Sequence, residues 1–295
     1  MISRYIKPVL VTIFLQYLLP KQAITALAGK LAHMQGGILT TKVIGWFVAR
    51  YGVNMAEAAN PDIASYASFN DFFTRPLKQE ARPLAKADFI CPVDGAISQF
   101  GAIEQDQIFQ AKGHRYSTLT LVGGNQNLAN QFENGHFACL YLSPKDYHRI
   151  HMPCDGLLKS MTYVPGDLFS VNPTTAANVA NLFARNERVV CEFESALYGT
   201  FVMVLVGATI VGSMATVWHD ATDVTNSHII NPPRTKNTRT WQYADKKITL
   251  KQGDEMGRFL LGSTVIVLFK KDALQFNASW QPARTIKLGE MMSAK

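Results

Sequence analysis

The sequence predicts an α+β protein: amphipathic helices at the amino terminus followed by a β-rich body. Three observations lead there. The first 50 residues carry six basic side chains, Arg4, Lys7, Lys21, Lys30, Lys42 and Arg50, and no Asp or Glu. The same stretch holds short apolar runs of helical length, punctuated by Pro20, Gly29, Gly36 and Gly37. Beyond it, short runs rich in Val, Ile and Phe alternate with Gly, Pro and Asn, which is the texture of strands and turns. The boundary is drawn at residue 60, with a helical anchor at 1–60 and a β-rich domain at 61–295.

The arm comes first. Its leading run, Val9 to Leu19, would span about 16 Å as a helix, roughly half a bilayer's hydrocarbon thickness. It cannot cross a membrane unaided, and Pro20 ends it. Ala23–Ala28 and Ile38–Val48 supply two further stretches. Basic, apolar and acid-free, these helices read as membrane-associating elements that lie in the interface; the competing reading packs them on the core. Of the net charge of +7, the arm supplies +6, leaving 23 basic and 22 acidic groups on the body. A neutral body with a basic, apolar arm suits an anionic membrane surface and argues against nucleic acid as a partner.

In the body, Ser68 to Leu77 reads as a capped short helix stopped by Pro76. Ile90–Ile97, Phe137–Leu142, Phe201–Val211 and Thr264–Phe269 read as strands, and Thr174–Arg185 as a helix or a long loop. With 47% hydrophobic residues, 17% charged and a mean hydropathy of +0.01, the chain is neither disordered nor a bundle of membrane spans. Cys91, Cys139, Cys154 and Cys191 form no CxxC pair, so they are expected as reduced, buried thiols. The amino terminus shows no small-residue cleavage site after its apolar run, which predicts a body on the cytoplasmic side.

GxSxG, HExxH, GxGxxG and GxxxxGK[ST] are all missing, which removes the common hydrolase, zincin and nucleotide readings. Three clusters remain: Pro92-Val93-Asp94-Gly95, the stretch from Tyr141 to Pro153, and Leu261-Gly262-Ser263-Thr264. A serine hydroxyl becomes a nucleophile when a neutral imidazole takes its proton and a carboxylate supports that imidazole. Asp94, one of His148 and His151, and Ser263 offer those groups. Asp94-Gly95 and Gly262-Ser263 are also ordinary turn pairs. The paired histidines could bind a metal, but no Cys or Glu nearby is spaced to complete a site, so acid–base work is expected and no metal. Glycine leaves its carbonyl open to the following hydroxyl, so the Gly262–Ser263 bond could cut itself.

These clusters, together with Phe69–Leu77, Ala111–Ser117, Tyr163–Asn172, Asn181–Arg188 and Gly253–Phe259, resemble the bacterial phosphatidylserine decarboxylases, a pyruvoyl-dependent, self-processing family. The resemblance runs from the amino terminus to about Phe269 and is weakest in 220–247 and after Lys270. It implies a zymogen that cleaves itself between Gly262 and Ser263 into a large chain, 1–262, and a small chain of 33 residues, 263–295 (295 − 262 = 33). In that scheme Asp94, His151 and Ser263 form the self-cleavage triad, Ser263 becomes the pyruvoyl group, and His148 serves decarboxylation. The pyruvoyl group would form a Schiff base with the amine of phosphatidylserine and yield phosphatidylethanolamine and carbon dioxide, a carboxy-lyase reaction of phospholipid biosynthesis. The resemblance further implies a peripheral enzyme on the cytoplasmic face of the inner membrane and a homodimer. Tyr163 and Phe169 are the candidate substrate-binding residues, with core packing the equal alternative for Phe169. Two other readings compete: a serine hydrolase using the same three residues without cleavage, and a lipid-binding module without chemistry.

Overall fold

The computed structural model describes residues 13–209, 214–218, 237–260 and 264–293. Its strands are β1 (Gly95–Ala102), β2 (Gln107–Ala111), β3 (His114–Ser117), β4 (His136–Tyr141), β5 (Arg149–His151), β6 (Gly156–Val164), β7 (Arg188–Ser195), β8 (Gly199–Val206), β9 (Met214–Thr216), β10 (Arg239–Gln242), β11 (Thr249–Leu250), β12 (Glu255–Phe259), β13 (Thr264–Phe269) and β14 (Thr285–Ile286). The main sheet runs β10-β6-β7-β8-β13-β4-β1-β14, with β11 also on β6 and every pairing antiparallel. A smaller sheet runs β5-β12-β9, and β2 and β3 form a separate hairpin.

From Val265 to Phe269 the strand β13 is apolar because both faces of the sheet are covered. Val265, Val267 and Phe269 enter one core with Leu140, Met203 and Leu205, while Ile266 and Leu268 enter a second with Phe137, Cys139, Val204 and Val206. A strand buried on both sides reads as a continuous run of Val, Ile and Leu instead of an alternation. That explains why β4, β8 and β13 were visible in the sequence. β6 and β7 were not, because Lys159, Ser160, Glu192 and Glu194 interrupt the apolar run, and their partners become evident only in the ladder from Leu157↔Glu194 to Val164↔Arg188.

Expected boundaries move, β4 by one residue to His136–Tyr141 and two others by more. Ile90–Asp94 stands outside β1, which begins at Gly95, and β8 ends at Val206; residues 210 and 211 of the expected strand lie outside the described residues. Thr174–Arg185 resolves into two single-turn helices, Pro173–Ala176 and Leu182–Arg185. The Phe69–Phe73 helix has the expected cap: Ser68 Oγ accepts from the Asp71 amide, and an Asp71 oxygen accepts from the Ser68 amide. All four cysteines are free and buried, and burial pushes the Cys139 and Cys154 thiols up to about 12.

The amino-terminal helices are present as residues 13–18, Lys21–His33 and Ile38–Tyr51. The last docks through Ile44 and Phe47 on Phe69, Phe72 and Phe73. Gln16 and Tyr17 reach the body at Ser170, Thr175 and Phe169. The opposite faces stay bare: Phe14, Leu18, Leu27, Leu31, Ile38, Leu39 and Trp46 are each at least 58% exposed. Among the described residues no helix is long and apolar enough to cross a membrane.

Gly95 is where the sheet admits no side chain, since a Cβ there would run into the Tyr141 carbonyl oxygen of β4. Gly95→Ala is expected to destabilise the fold by about 2–4 kcal/mol through forced separation of β1 and β4, read as a lowered midpoint in denaturant unfolding.

Candidate active site

One register brings the separated sequence clusters together. Tyr141 at the end of β4 pairs with Ala96 on one side and Thr264 on the other, so the chain entering β1 from Asp94 and the chain entering β13 reach the same end of the sheet. β5 and β12 lie across that end, with Glu255 opposite His151 and Arg258 opposite Arg149. The His151 amide donates to the Pro92 carbonyl at 2.9 Å, and the Phe259 amide donates to the His148 carbonyl at 2.9 Å. Gly262 and Ser263 lie outside the described residues, which reach Leu260 on one side and resume at Thr264 on the other.

Both histidines are held neutral. His148 is fully buried; its Nδ1–H donates to the Asp146 carbonyl at 2.8 Å, and its ring lies 4.0 Å from that of Phe73. Burial, opposed by that hydrogen bond and helped by the charge of Arg75, pushes its pKa down to about 3. Among the described residues its buried Nε2 has no hydrogen-bond partner, leaving a lone pair at the site. His151 donates from Nδ1 to the Gly253 carbonyl at 2.8 Å and accepts at Nε2 from the Tyr147 hydroxyl at 3.2 Å. Burial is again the main cause of its lowered pKa, while the charges of Glu255 and Asp94 act in the opposite sense.

Asp94 is placed by different partners. Arg82 Nε donates to its Oδ1 at 2.8 Å and to its Oδ2 at 3.1 Å, Arg82 Nη2 donates to the same Oδ2, and the Leu288 amide donates to Oδ1 at 2.9 Å. Arg82 also binds Glu57 at 2.6 Å and holds that carboxyl below its usual range. Among the described residues, then, the His151 ring is oriented by the Gly253 carbonyl and Tyr147, and Asp94 reaches it through its charge alone. Beside Asp94 opens a cleft of about 390 Å³ whose lining includes Gly52, Arg75, Arg82, Lys145, Asp146 and Lys287.

Tyr147 and Gly253 lie in motif stretches that the sequence singles out, but it gives them no role there, and it points to neither Arg82 nor the carboxy-terminal segment around Leu288 as part of this site. Arg82 sits in a polar loop with no motif about it, and Leu288 acts through its backbone, which no side-chain pattern reveals. The candidate substrate residues stand elsewhere. Tyr163 is buried in β6. Phe169 is buried where the arm meets the body, with the Tyr17 ring 4.9 Å away, Lys21 Nζ 3.8 Å from its centroid and the Arg185 guanidinium at 4.9 Å.

Comparison with known proteins matches residues 69–294 to the family model described as phosphatidylserine decarboxylase, and residues 11–52 to a model described as PSD. The chain belongs to the phosphatidylserine decarboxylase family. Among its relatives, the phosphatidylserine decarboxylase proenzyme of Dechloromonas aromatica (strain RCB) is 68% identical over 279 residues, covering 95% of this chain and 96% of the relative. Proenzymes of the same description from Albidiferax ferrireducens and Azoarcus sp. (strain BH72) are 67% and 66% identical over 94% of this chain, covering 95% and 93% of the relatives. This decarboxylase family is one of carboxy-lyases, and the meeting of Asp94, His148 and His151 at one sheet end lies within the matched span.

Buried, neutral His148 makes the fold of this decarboxylase sensitive to acid. The unfolded histidine takes a proton below pH 6.5 whereas the folded one resists until about pH 3, so stability is complete above 6.5 and is lost as pH falls across that window. The unfolding free energy of His148→Gln should fall less steeply between pH 6.5 and 4 than that of the wild type, as followed by denaturant titration at successive pH values.

Proposed function

We propose that the chain is a proenzyme that cleaves itself between Gly262 and Ser263 and then decarboxylates phosphatidylserine to phosphatidylethanolamine with a pyruvoyl group made from Ser263. One observation carries this reading: the two strands flanking that bond are held against the two-histidine strand and against the entry to Asp94, through Phe259 to His148 and Thr264 to Tyr141. In the cleavage, the Ser263 hydroxyl attacks the Gly262 carbonyl carbon and His151 Nε2 accepts its proton. The peptide C–N bond breaks as the ester forms, and the freed amine takes a proton. Loss of the Cα proton of residue 263 and departure of the Gly262 carboxylate leave dehydroalanine, and water then replaces the nitrogen, which leaves as ammonia.

The residues present suit that chemistry. His151 is neutral and has its Nδ1 proton committed to Gly253, so Nε2 is the basic atom. Asp94, anchored by Arg82, supports the charge that His151 acquires. When formed, the pyruvoyl group supplies a carbonyl that condenses with the substrate amine and draws off the electron pair left by departing carbon dioxide. His148 serves that stage, its Nε2, without a partner among the described residues, facing a dry environment in which a proton can be held or delivered. Tyr163 and Phe169 are assigned the apolar side of substrate binding, Phe169 at the join between arm and body.

The arm is the membrane-binding element, peripheral on the cytoplasmic face of the inner membrane, with the enzyme acting as a homodimer. The bare apolar faces of its helices and the absence of acids from residues 1–50 support the membrane assignment, and four unpaired thiols support a reducing compartment.

Intact mass under denaturing conditions tests the processing. Wild-type protein should separate into 1–262 and a pyruvoyl-capped 263–295, while Ser263→Ala and His151→Ala stay whole and His148→Ala processes without decarboxylating. A single unmodified chain from active wild-type protein would overturn the scheme. Because the neutral form of His151 is the base and its pKa is lowered, the cleavage rate should hold its plateau below pH 6.5 and decline only in more acid solution. For the arm, the double change Ile38→Glu and Leu39→Glu should weaken sedimentation with anionic vesicles by on the order of tenfold or more, with processing retained.

A further inference from the structure

The cleft beside Asp94 is lined by four carboxylates, and each is already engaged. Asp94 and Glu57 bind Arg82, Asp146 accepts from the Ser143 amide and hydroxyl at 2.7 Å, and Glu290 lies 3.5 Å from Arg284. Arg75, which also lines the cleft, is different. It is 3% exposed, yet among the described residues no carboxylate stands within ion-pair distance of it. Among the described residues its Nε has no hydrogen-bond partner, its Cζ lies 5.2 Å from the Phe72 ring centroid, and its Nη1 and Nη2 reach the carbonyls of Phe72 and Lys145, each at 3.5 Å. Contacts of that length are weak, and a guanidinium has five donors to satisfy. A permanent cation taken out of water without a counter-charge is costly, so an anion supplied from outside the chain would be bound strongly.

We infer that Arg75 binds the phosphodiester of the lipid substrate, as a positioning residue for the headgroup. The inference rests on phosphatidylserine as substrate but not on the pyruvoyl chemistry. The planar fork of a guanidinium matches two phosphate oxygens. The position is suitable: Arg75 follows the Phe69–Phe73 helix on which the arm docks, and its charge is felt at both His148 and Asp94. Gly52 and Asn54, at the end of the Ile38–Tyr51 helix, line the same cleft, so the cleft opens where the bare apolar face of the arm stops. That is the level at which a lipid's polar headgroup would emerge from the interface.

The substrate offers two anions, and the reaction distinguishes them. The serine carboxylate must shed its negative charge as carbon dioxide, and a guanidinium clamped on it would stabilise the ground state and raise the barrier. The phosphodiester keeps its charge from substrate to product, so a cation there adds the same binding before, during and after the chemistry. Its loss therefore raises KM and leaves kcat nearly unchanged.

The test compares full-length Arg75→Gln and Arg75→Lys with the wild type, each checked for processing by mass. Decarboxylation is measured in mixed micelles, with glycerophosphoethanolamine, which has the phosphodiester but no carboxylate, as a competitive inhibitor. Arg75→Gln should raise KM and the inhibition constant together, on the order of tenfold or more, with kcat within about twofold, and Arg75→Lys should restore part of both. A raised KM with an unchanged inhibition constant would place Arg75 on the carboxylate and overturn the inference, as would a fall in kcat alone or no change at all. Should Arg75→Gln fail to fold, the lysine variant carries the same comparison. If the wild type decarboxylates nothing, the substrate assignment itself has failed; calorimetric binding of glycerophosphoethanolamine to wild type and variants then decides on Arg75 separately.

Discussion

Antiparallel pairing of β13 between β8 and β4 is the constraint on which the other features depend. The register sets Thr264 opposite Tyr141 and Val206, and Tyr141 opposite Ala96, so the starts of β13 and β1 share one end of the sheet. The strand is buried on both faces, and a slip of one residue would exchange the two cores. Gly95 tightens the constraint, because its missing side chain lets β1 approach the Tyr141 carbonyl more closely than any other residue would permit. Chemistry confined to the sheet end thus inherits the precision of the core.

Across that end the small β5-β12-β9 sheet adds a low-dielectric wall. Its effect on the two histidines differs in degree: His148 is sealed beneath Phe73, while half-buried His151 retains a weakly occupied Nε2. The arm contributes to the same wall, since Phe47 packs on Phe73, which in turn covers His148. Docking of the amino-terminal helices and the electrostatics of the site are therefore linked through one aromatic stack. Arg82 is the complementary device, concentrating two carboxylates at the cleft while neutralising much of their charge.

How much was visible beforehand depended on how local the signal was. Ser68 and Asp71 cap a helix through contacts three residues apart, and the acid-free arm declares itself by composition. β4 and β13 were legible because burial on both faces writes an unbroken apolar run. β6 and β7 were obscured by Lys159, Glu192 and Glu194, whose tolerance in a sheet depends on where each strand face meets solvent. The carboxy-terminal segment after Lys270, where the resemblance was weak by motif alone, lies within the matched span; it closes the sheet through β14 and gives Asp94 a backbone donor from Leu288.

The sequence by itself determined the family, the α+β class, the basic apolar arm and the residue types available for chemistry, because these follow from composition, local periodicity and motif order. Tertiary structure alone decided which groups touch. Arg82 grips Asp94, Gly253 and Tyr147 orient His151, and among the described residues buried Arg75 has no carboxylate at ion-pair distance. Those relations join residues tens to hundreds of positions apart, and hydrogen bonding and desolvation act through space over a few ångströms, with no regard to distance along the chain.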